Sequence, residues 1–131
     1  MYCKQVLGVG VAGEELGTMD ALLGHPALGA SWEGFVVEQV LAMVPSGSQA
    51  FFFRTSAGAE IDLVLVDRGG QRTAVEAKFS SAPTLAKGFW HGYRDLACRR
   101  GFAIYPGCER YPLGQGVEAL PISQVGAVWG P

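Results

Sequence analysis

Histidine, paired cysteine and surplus positive charge are all scarce in this chain, and each scarcity removes a class of function. Two histidines, His25 and His91, stand far apart with no second histidine at ligand spacing, so nothing suggests a zinc site. The three cysteines, Cys3, Cys98 and Cys108, are odd in number and contain no CxxC pair, which leaves neither a disulfide framework nor a metal knuckle and fits a reducing, cytoplasmic setting. Ten Lys and Arg face twelve Asp and Glu, and the sequence pI is about 5.6, so the overall basic balance of a nucleic-acid binder is missing and such a role would need a local patch. No apolar run approaches the roughly 20 residues that span a bilayer, and the N-terminus, with one lysine and a glycine-broken apolar stretch, makes a poor signal peptide; no membrane role is expected.

What the chain does have is apolar residues, 49% of the total, in a length of 131 residues that suits one core. Residues 1–30 are glycine-rich and read as an irregular arm or truncated element, leaving 31–131 as the domain. Gly8, Gly10 and Gly13 spell GxGxxG, but too few residues precede them for a strand and no βαβ pattern follows, so a dinucleotide site is not expected. From Ser31, a plausible N-cap, apolar residues at Trp32, Phe35, Val36, Val40, Met43 and Val44 form a helical face that Pro45 stops. "QAFFFRT", "EIDLVLVD" and "RTAVEAKF" read as three strands separated by turns. Helical spacing returns from Thr84 to Arg100, with Leu85, Phe89, Tyr93, Leu96 and Ala97 on one face and Gly101 as a stop, and "FAIYP" is a fourth strand. The tail can add a short strand and a last helical turn. The order αβββαβ implies a mixed central sheet flanked by helices, an α/β fold.

The informative stretch runs through the second and third strands. Period-two alternation puts Ile61, Leu63 and Leu65 on one face and Val75, Ala77 and Phe79 on one face, leaving Glu60, Asp62, Glu76 and Lys78 on the others. A two-residue Gly69-Gly70 turn would set Asp62 opposite Ala77, mixing charge with core. A three-residue loop, Arg68 to Gly70, sets Asp62 opposite Glu76 or Lys78 and is the expected one. Two carboxylates brought close repel unless a cation joins them. Asp62 and Glu76, with the Ala77 carbonyl, offer oxygen ligands to a hard ion such as Mg²⁺ or Mn²⁺, and Lys78 could handle the attacking water or stabilise a phosphorane-like transition state. The same alternation of acids and bases also describes a solvated sheet face on which Glu76 and Lys78 form an ordinary ion pair.

A helix carrying Glu33 in "SWEGFVVEQVL", Asp62 in "RTSAGAEID" and the ExK triplet of "VEAK", followed by a helix and strand, resembles the PD-(D/E)XK nuclease-like core. With "RGFAIYPGCERYPLGQGVEALP" it looks more narrowly like the nuclease-like domain at the C-terminal end of a family of bacterial and archaeal AAA+ type ATPases. The resemblance covers about residues 22–125. It implies a restriction-endonuclease-like αβββαβ fold, Glu33, Asp62, Glu76 and Lys78 as the core catalytic positions, and Arg54 and Glu60 as flanking ones. It further implies Mg²⁺ or Mn²⁺ held by Asp62 and Glu76, hydrolysis of DNA with RNA as an alternative, and an ATPase module or partner chain. The sequence departs from that family in having no GxxxxGK phosphate loop. Lys87, His91 and Arg94 lie opposite the apolar face of the second helix and, with Arg54, are candidate nucleic-acid contacts. As a solvated face they would mean nothing. The competing function is a catalytically inactive nuclease-fold domain that binds nucleic acid or protein. Exposed aromatics and the missing motor make a homodimer a further expectation.

Overall fold

The computed structural model describes residues 2–5 and 26–130. The GxGxxG glycines and His25 lie outside the described residues. Strand β1 (Tyr2–Gln5) is followed by helix α1 (Pro26–Ala42), strands β2 (Gln49–Arg54), β3 (Glu60–Val66) and β4 (Arg72–Ala77), helix α2 (Lys87–Asp95), and strands β5 (Arg100–Tyr105), β6 (Tyr111–Gly114) and β7 (Val117–Pro121), then 3₁₀ turns over Ile122–Trp129. The sheet order is β1-β2-β3-β4-β5-β7-β6. β1 to β4 run antiparallel, β4–β5 and β5–β7 pair parallel, and β6 returns antiparallel on β7. This is the expected α/β architecture with a mixed sheet, extended by β1 at one edge and the β6–β7 hairpin at the other.

Both faces of the sheet are covered. On one side α1 and the 3₁₀ turns pack Val36, Val40 and Val128 against Leu63, Leu65, Val75, Phe102, Ile104 and Leu120. On the other, Phe89 and Tyr93 of α2 pack against Phe53, Ile61, Val64, Ala74 and Val117. This explains why β4 is buried from Thr73 through Glu76 without alternation: a central strand roofed on both sides has no wet face. Phe53 is fully buried and Trp32, Phe51 and Phe52 are half-buried, so the aromatics belong to the core and its margins.

Four expectations change. Helix α1 begins at Pro26 rather than Ser31, because proline's fixed φ and missing N–H suit the first helical position; the boundary drawn at residues 30/31 therefore falls inside a helix. Tyr2–Gln5, expected in an irregular arm, is an edge strand paired with β2. Met43 and Val44, counted on the apolar face, lie beyond the helix end and are exposed, since Pro45 disfavours helical backbone before it. Helix α2 stops at Asp95, well short of Arg100. Ala97 takes a left-handed conformation (φ 50°), with Cys98 N–H bonding Tyr93 C=O at 3.0 Å and Ala97 N–H bonding Arg94 C=O at 3.0 Å. That is a Schellman ending with alanine where glycine is usual, and Arg100 and Gly101 belong to β5.

Candidate functional site

The β3–β4 hairpin turns through Arg68–Gly70. Asp67 N–H bonds Gln71 C=O at 3.0 Å, Gly70 N–H bonds Asp67 C=O at 3.0 Å, and Gly70 supplies the positive φ of 81°. The loop has odd length, and the register it sets, Val66↔Arg72 through Leu63↔Val75, brings Asp62 level with Glu76.

Beyond Leu63↔Val75 the backbone ladder stops and the two carboxylates take over. Glu76 Oε1 accepts the Asp62 N–H at 2.8 Å, and Asp62 Oδ2 accepts the Ala77 N–H at 2.9 Å. Each acid thus satisfies a main-chain donor that the ladder leaves unpaired. On its other side β3 carries a bulge: Phe51 pairs with Val64 and Phe53 with Ile61, so Phe52 alone faces both Asp62 and Leu63. The bulge corrects the simple alternation. Ile61 does not share a face with Leu63 and Leu65; it turns to the α2 side with Val64.

The result is a cleft of about 330 Å³ lined by Glu33, Gly58, Glu60, Asp62, Glu76, Ala77, Lys78, Ala86, Gly88 and Phe89. It lies at the carboxyl end of β4, the end at which ligands bind in α/β sheets. Glu33 comes from α1 and is exposed. The neighbouring Trp32 indole N–H donates to Ile104 C=O at 3.3 Å, the same carbonyl that accepts the Lys78 N–H at 2.9 Å. One carbonyl at the end of β5 therefore fixes both the helix turn bearing Glu33 and the strand end bearing Lys78. Trp32 also meets Phe79, the residue after Lys78, at 5.6 Å between ring centroids. Gly88 sets the opposite wall. A Cβ there would overlap the Gly58 carbonyl oxygen, so only glycine lets the β2–β3 turn rest on the start of α2.

Burial dominates the electrostatics. Asp62 is pushed up to about 8, first by burial and then by the charges of Glu76 and Glu33, with the Ala77 N–H and Lys78 opposing. Glu76 is pushed up to about 7, again first by burial, with the Asp62 N–H and Lys78 pulling down and Glu33 and Glu60 pushing up. Both shifts run in the direction that favours a shared proton, and a cation between the two carboxyls would oppose them. Lys78 Nζ stands 3.7 Å from Glu76 Oε2, a loose ion pair with both groups partly screened from solvent.

The structure brings Glu33, Asp62, Glu76 and Lys78 to one cleft, with Glu60 on its rim. Arg54 is held by Glu60 at 2.8 Å, with both side chains largely exposed. Lys87, His91 and Arg94 lie on the exposed face of α2, away from Phe89, Gly92 and Tyr93. The sequence reading missed three elements that shape the site: the bulge at Asp62–Leu63, the Ile104 carbonyl and the Gly58 contact. Only Gly88 left a signal, as a glycine inside the helical stretch expected from Thr84 to Arg100, where it would cost about 1 kcal/mol.

Residues 28–125 match the family described as Domain of unknown function (DUF4143). The chain belongs to that family. Two relatives of this DUF4143 chain, both uncharacterized, come from Mycobacterium bovis and Mycobacterium tuberculosis; each is 38% identical over 105 residues, covering 80% of this chain and 23% of the relative. The chain thus spans under a quarter of the length of the curated relatives it matches. No solved structure matches it. No described helix of this DUF4143 domain is long and apolar enough to cross a membrane.

The donor set fits a small hard cation. Among the described residues no group of three or more His, Cys, Asp or Glu side chains is arranged to hold a metal ion, and the cleft offers the carboxyls of Asp62 and Glu76 as candidate oxygen donors. Mg²⁺ suits such a site because it commonly keeps several waters and takes only one or two carboxylates from the protein.

Proposed function

We propose that the cleft is a Mg²⁺- or Mn²⁺-dependent phosphodiesterase site of nuclease type, on a restriction-endonuclease-like core. One observation carries this reading. Two carboxyls lining the cleft, Glu76 buried and Asp62 half-buried, each use one oxygen to grip the opposite strand's backbone, so they are pre-positioned where neither is comfortable as an anion. A solvated sheet face would show none of this. A binding module that kept these acids for structure alone has no need of an open cleft beside them.

Asp62 and Glu76 would hold the cation, which when bound polarises the phosphodiester and makes water a stronger nucleophile. Lys78 supplies the one cationic side chain lining the cleft among the described residues; its ammonium is placed to orient water or to offset charge that develops on phosphate oxygens. Glu33, reaching from α1, supplies a carboxylate for water rather than for the main chain. The Trp32 and Lys78 bonds to Ile104 keep these two groups at fixed positions, so little reorganisation is needed when substrate arrives. The resemblance to ATPase-linked domains, together with relatives more than four times the length of the matched segment, supports a partner ATPase module as the setting.

The test is calorimetric titration of Mg²⁺ and Mn²⁺ into wild type and Asp62→Asn, with plasmid cleavage followed on the same samples. Cation binding and cleavage that both vanish in the variant are the expected result. An absence of cation binding in wild type at millimolar concentration overturns the site, and binding without cleavage, on plasmid or RNA, overturns the activity in favour of a binding or regulatory role.

A further inference from the structure

We propose that the exposed face of α2 is a track for a nucleic-acid backbone, leading from the cleft at Lys87 to Arg94, Arg72 and Arg99 at the far end of the helix. The inference rests on the reading of the cleft as a phosphodiesterase site and adds how a polyanion reaches it.

The helix has a direction that matters. Its first turn lines the cleft through Gly88 and Phe89. Its last turn is met from the sheet by Arg72, whose Nη1 donates to the Leu96 carbonyl at 2.9 Å. Arg99 N–H bonds Arg72 C=O at 2.8 Å, and the Arg99 guanidinium reaches Gln71, so the second arginine sits beside the first. Between these ends Lys87, His91 and Arg94 recur at i, i+4 and i+7, one stripe directly opposite the buried Phe89, Gly92 and Tyr93, and all three are exposed.

Charge complementarity selects the occupant. The chain carries a net charge of −2, and its cleft concentrates Glu33, Glu60, Asp62 and Glu76. A phosphate approaching those acids is repelled unless cations lie along its path. The α2 side supplies four, Lys87, Arg94, Arg72 and Arg99, against the exposed acids Asp95 on the helix and Asp67 at the hairpin turn. Arg72 and Arg94 also suit the negative end of the helix dipole, but that role explains neither Lys87, at the opposite and positive end, nor Arg99. From Lys87 to Arg94 is seven residues, about 10 Å of helix at ~1.5 Å each, or about three nucleotide steps at ~3.4 Å along a duplex strand. Long, exposed side chains contact phosphates and sugars rather than base edges, so recognition along the track is independent of sequence.

The experiment is fluorescence anisotropy of labelled single-stranded and duplex DNA in EDTA, across a salt series, with the whole chain as wild type, Lys87→Gln/Arg94→Gln and Asp62→Asn. The track predicts that the double variant binds its preferred probe about tenfold more weakly and that the slope of log K against log salt falls by roughly 1.4–1.8, one phosphate contact for each lost cation. The probe bound more tightly by wild type identifies strand or duplex as the occupant. Affinity and slope unchanged in the double variant, or no binding by wild type to either probe at low salt, overturn the proposal. So does displacement of the DNA by polyglutamate at equal charge concentration, which would make the face a generic acidic-peptide surface. Asp62→Asn separates the two readings: it should bind at least as well as wild type while failing to cleave. If wild type binds through Lys87 and Arg94 yet cleaves nothing with Mg²⁺ or Mn²⁺, the phosphodiesterase reading fails and the track stands.

Discussion

Asp62 and Asp67 lie five residues apart at opposite ends of one hairpin arm, and both use the side chain to accept main-chain N–H bonds. At the turn, Asp67 Oδ1 takes the N–H groups of Gly69 and Gln71 at 2.9 and 3.0 Å in full contact with solvent. At the open end, Asp62 Oδ2 takes the N–H of Ala77 at a similar distance, but under α2 and beside Glu76. The bond is alike; the surroundings are not. Water stabilises the charge of Asp67 and the turn gains an ordinary fastening, whereas Asp62 is fastened into a place where its charge is costly. A residue becomes a candidate for chemistry here through what covers it.

The largest test of that contrast is exchange of the two acids for amides. Asp62→Asn and Glu76→Gln each preserve a carbonyl oxygen for the strand bond while removing charge, so cation binding should be lost and any hydrolysis should fall by about 10²–10⁴, the range that a positioned catalytic side chain contributes to rate. Asp67→Asn, read by the same calorimetry, should leave both unchanged. A comparable loss from Asp67 would mean that the hairpin as a whole, and not the Asp62–Glu76 pair, carries the effect.

Next in size is Gly88→Ala. Its Cβ would overlap the Gly58 carbonyl, a backbone atom that cannot swing aside, so a loss of about 1–3 kcal/mol is expected in denaturant unfolding, as for other overpacked positions. Weakened cation binding should accompany it if the β2–β3 turn is the wall that shapes the cleft. Gly58→Ala, with no atoms near its Cβ but φ at 95°, isolates backbone strain from that contact.

The pH dependence of stability gives a smaller but sharper signal. Carboxyls whose pKa is raised on folding favour the folded state when protonated. The contribution of Asp62 and Glu76 is complete below about pH 4, where the unfolded chain also protonates them, and is lost as pH rises through about 7 and 8. Asp62→Asn should therefore raise the melting temperature at pH 8 and change it little at pH 4. Mg²⁺ should stabilise wild type at pH 8 and much less at pH 5, where protons compete for the same oxygens. An equal response of Asp62→Asn at both pH values would show that burial does not govern the pair. At the small end, Asp67→Ala should cost about 0.5–1.5 kcal/mol for its turn bonds.

Much of the molecule was legible in the residues, and the failures share a cause. The αβββαβ order, the three-residue Arg68–Gly70 loop and the meeting of Asp62 with Glu76 follow from alternation, turn chemistry and register, all local properties of the chain. Alternation failed at Ile61, because a bulge opposite Phe52 shifts its phase, and a bulge answers to a neighbouring strand rather than to its own sequence. The second helix is shorter than its apolar spacing implies because Ala97 closes it in a conformation alanine seldom adopts, held by its own and the Cys98 N–H bonds to Arg94 and Tyr93.

By itself, the sequence determined which side chains could serve, two acids and a lysine on adjoining strands with a glutamate on the preceding helix. Only the tertiary structure decided that they form a cleft rather than a wet face. The ladder between β3 and β4 ends at Leu63 and Val75, the acids replace it, and Gly58 and the start of α2 line the cleft beside them. Burial depends on elements distant in sequence, so the cost of ionising Asp62 and Glu76 is absent from any window of residues that contains them.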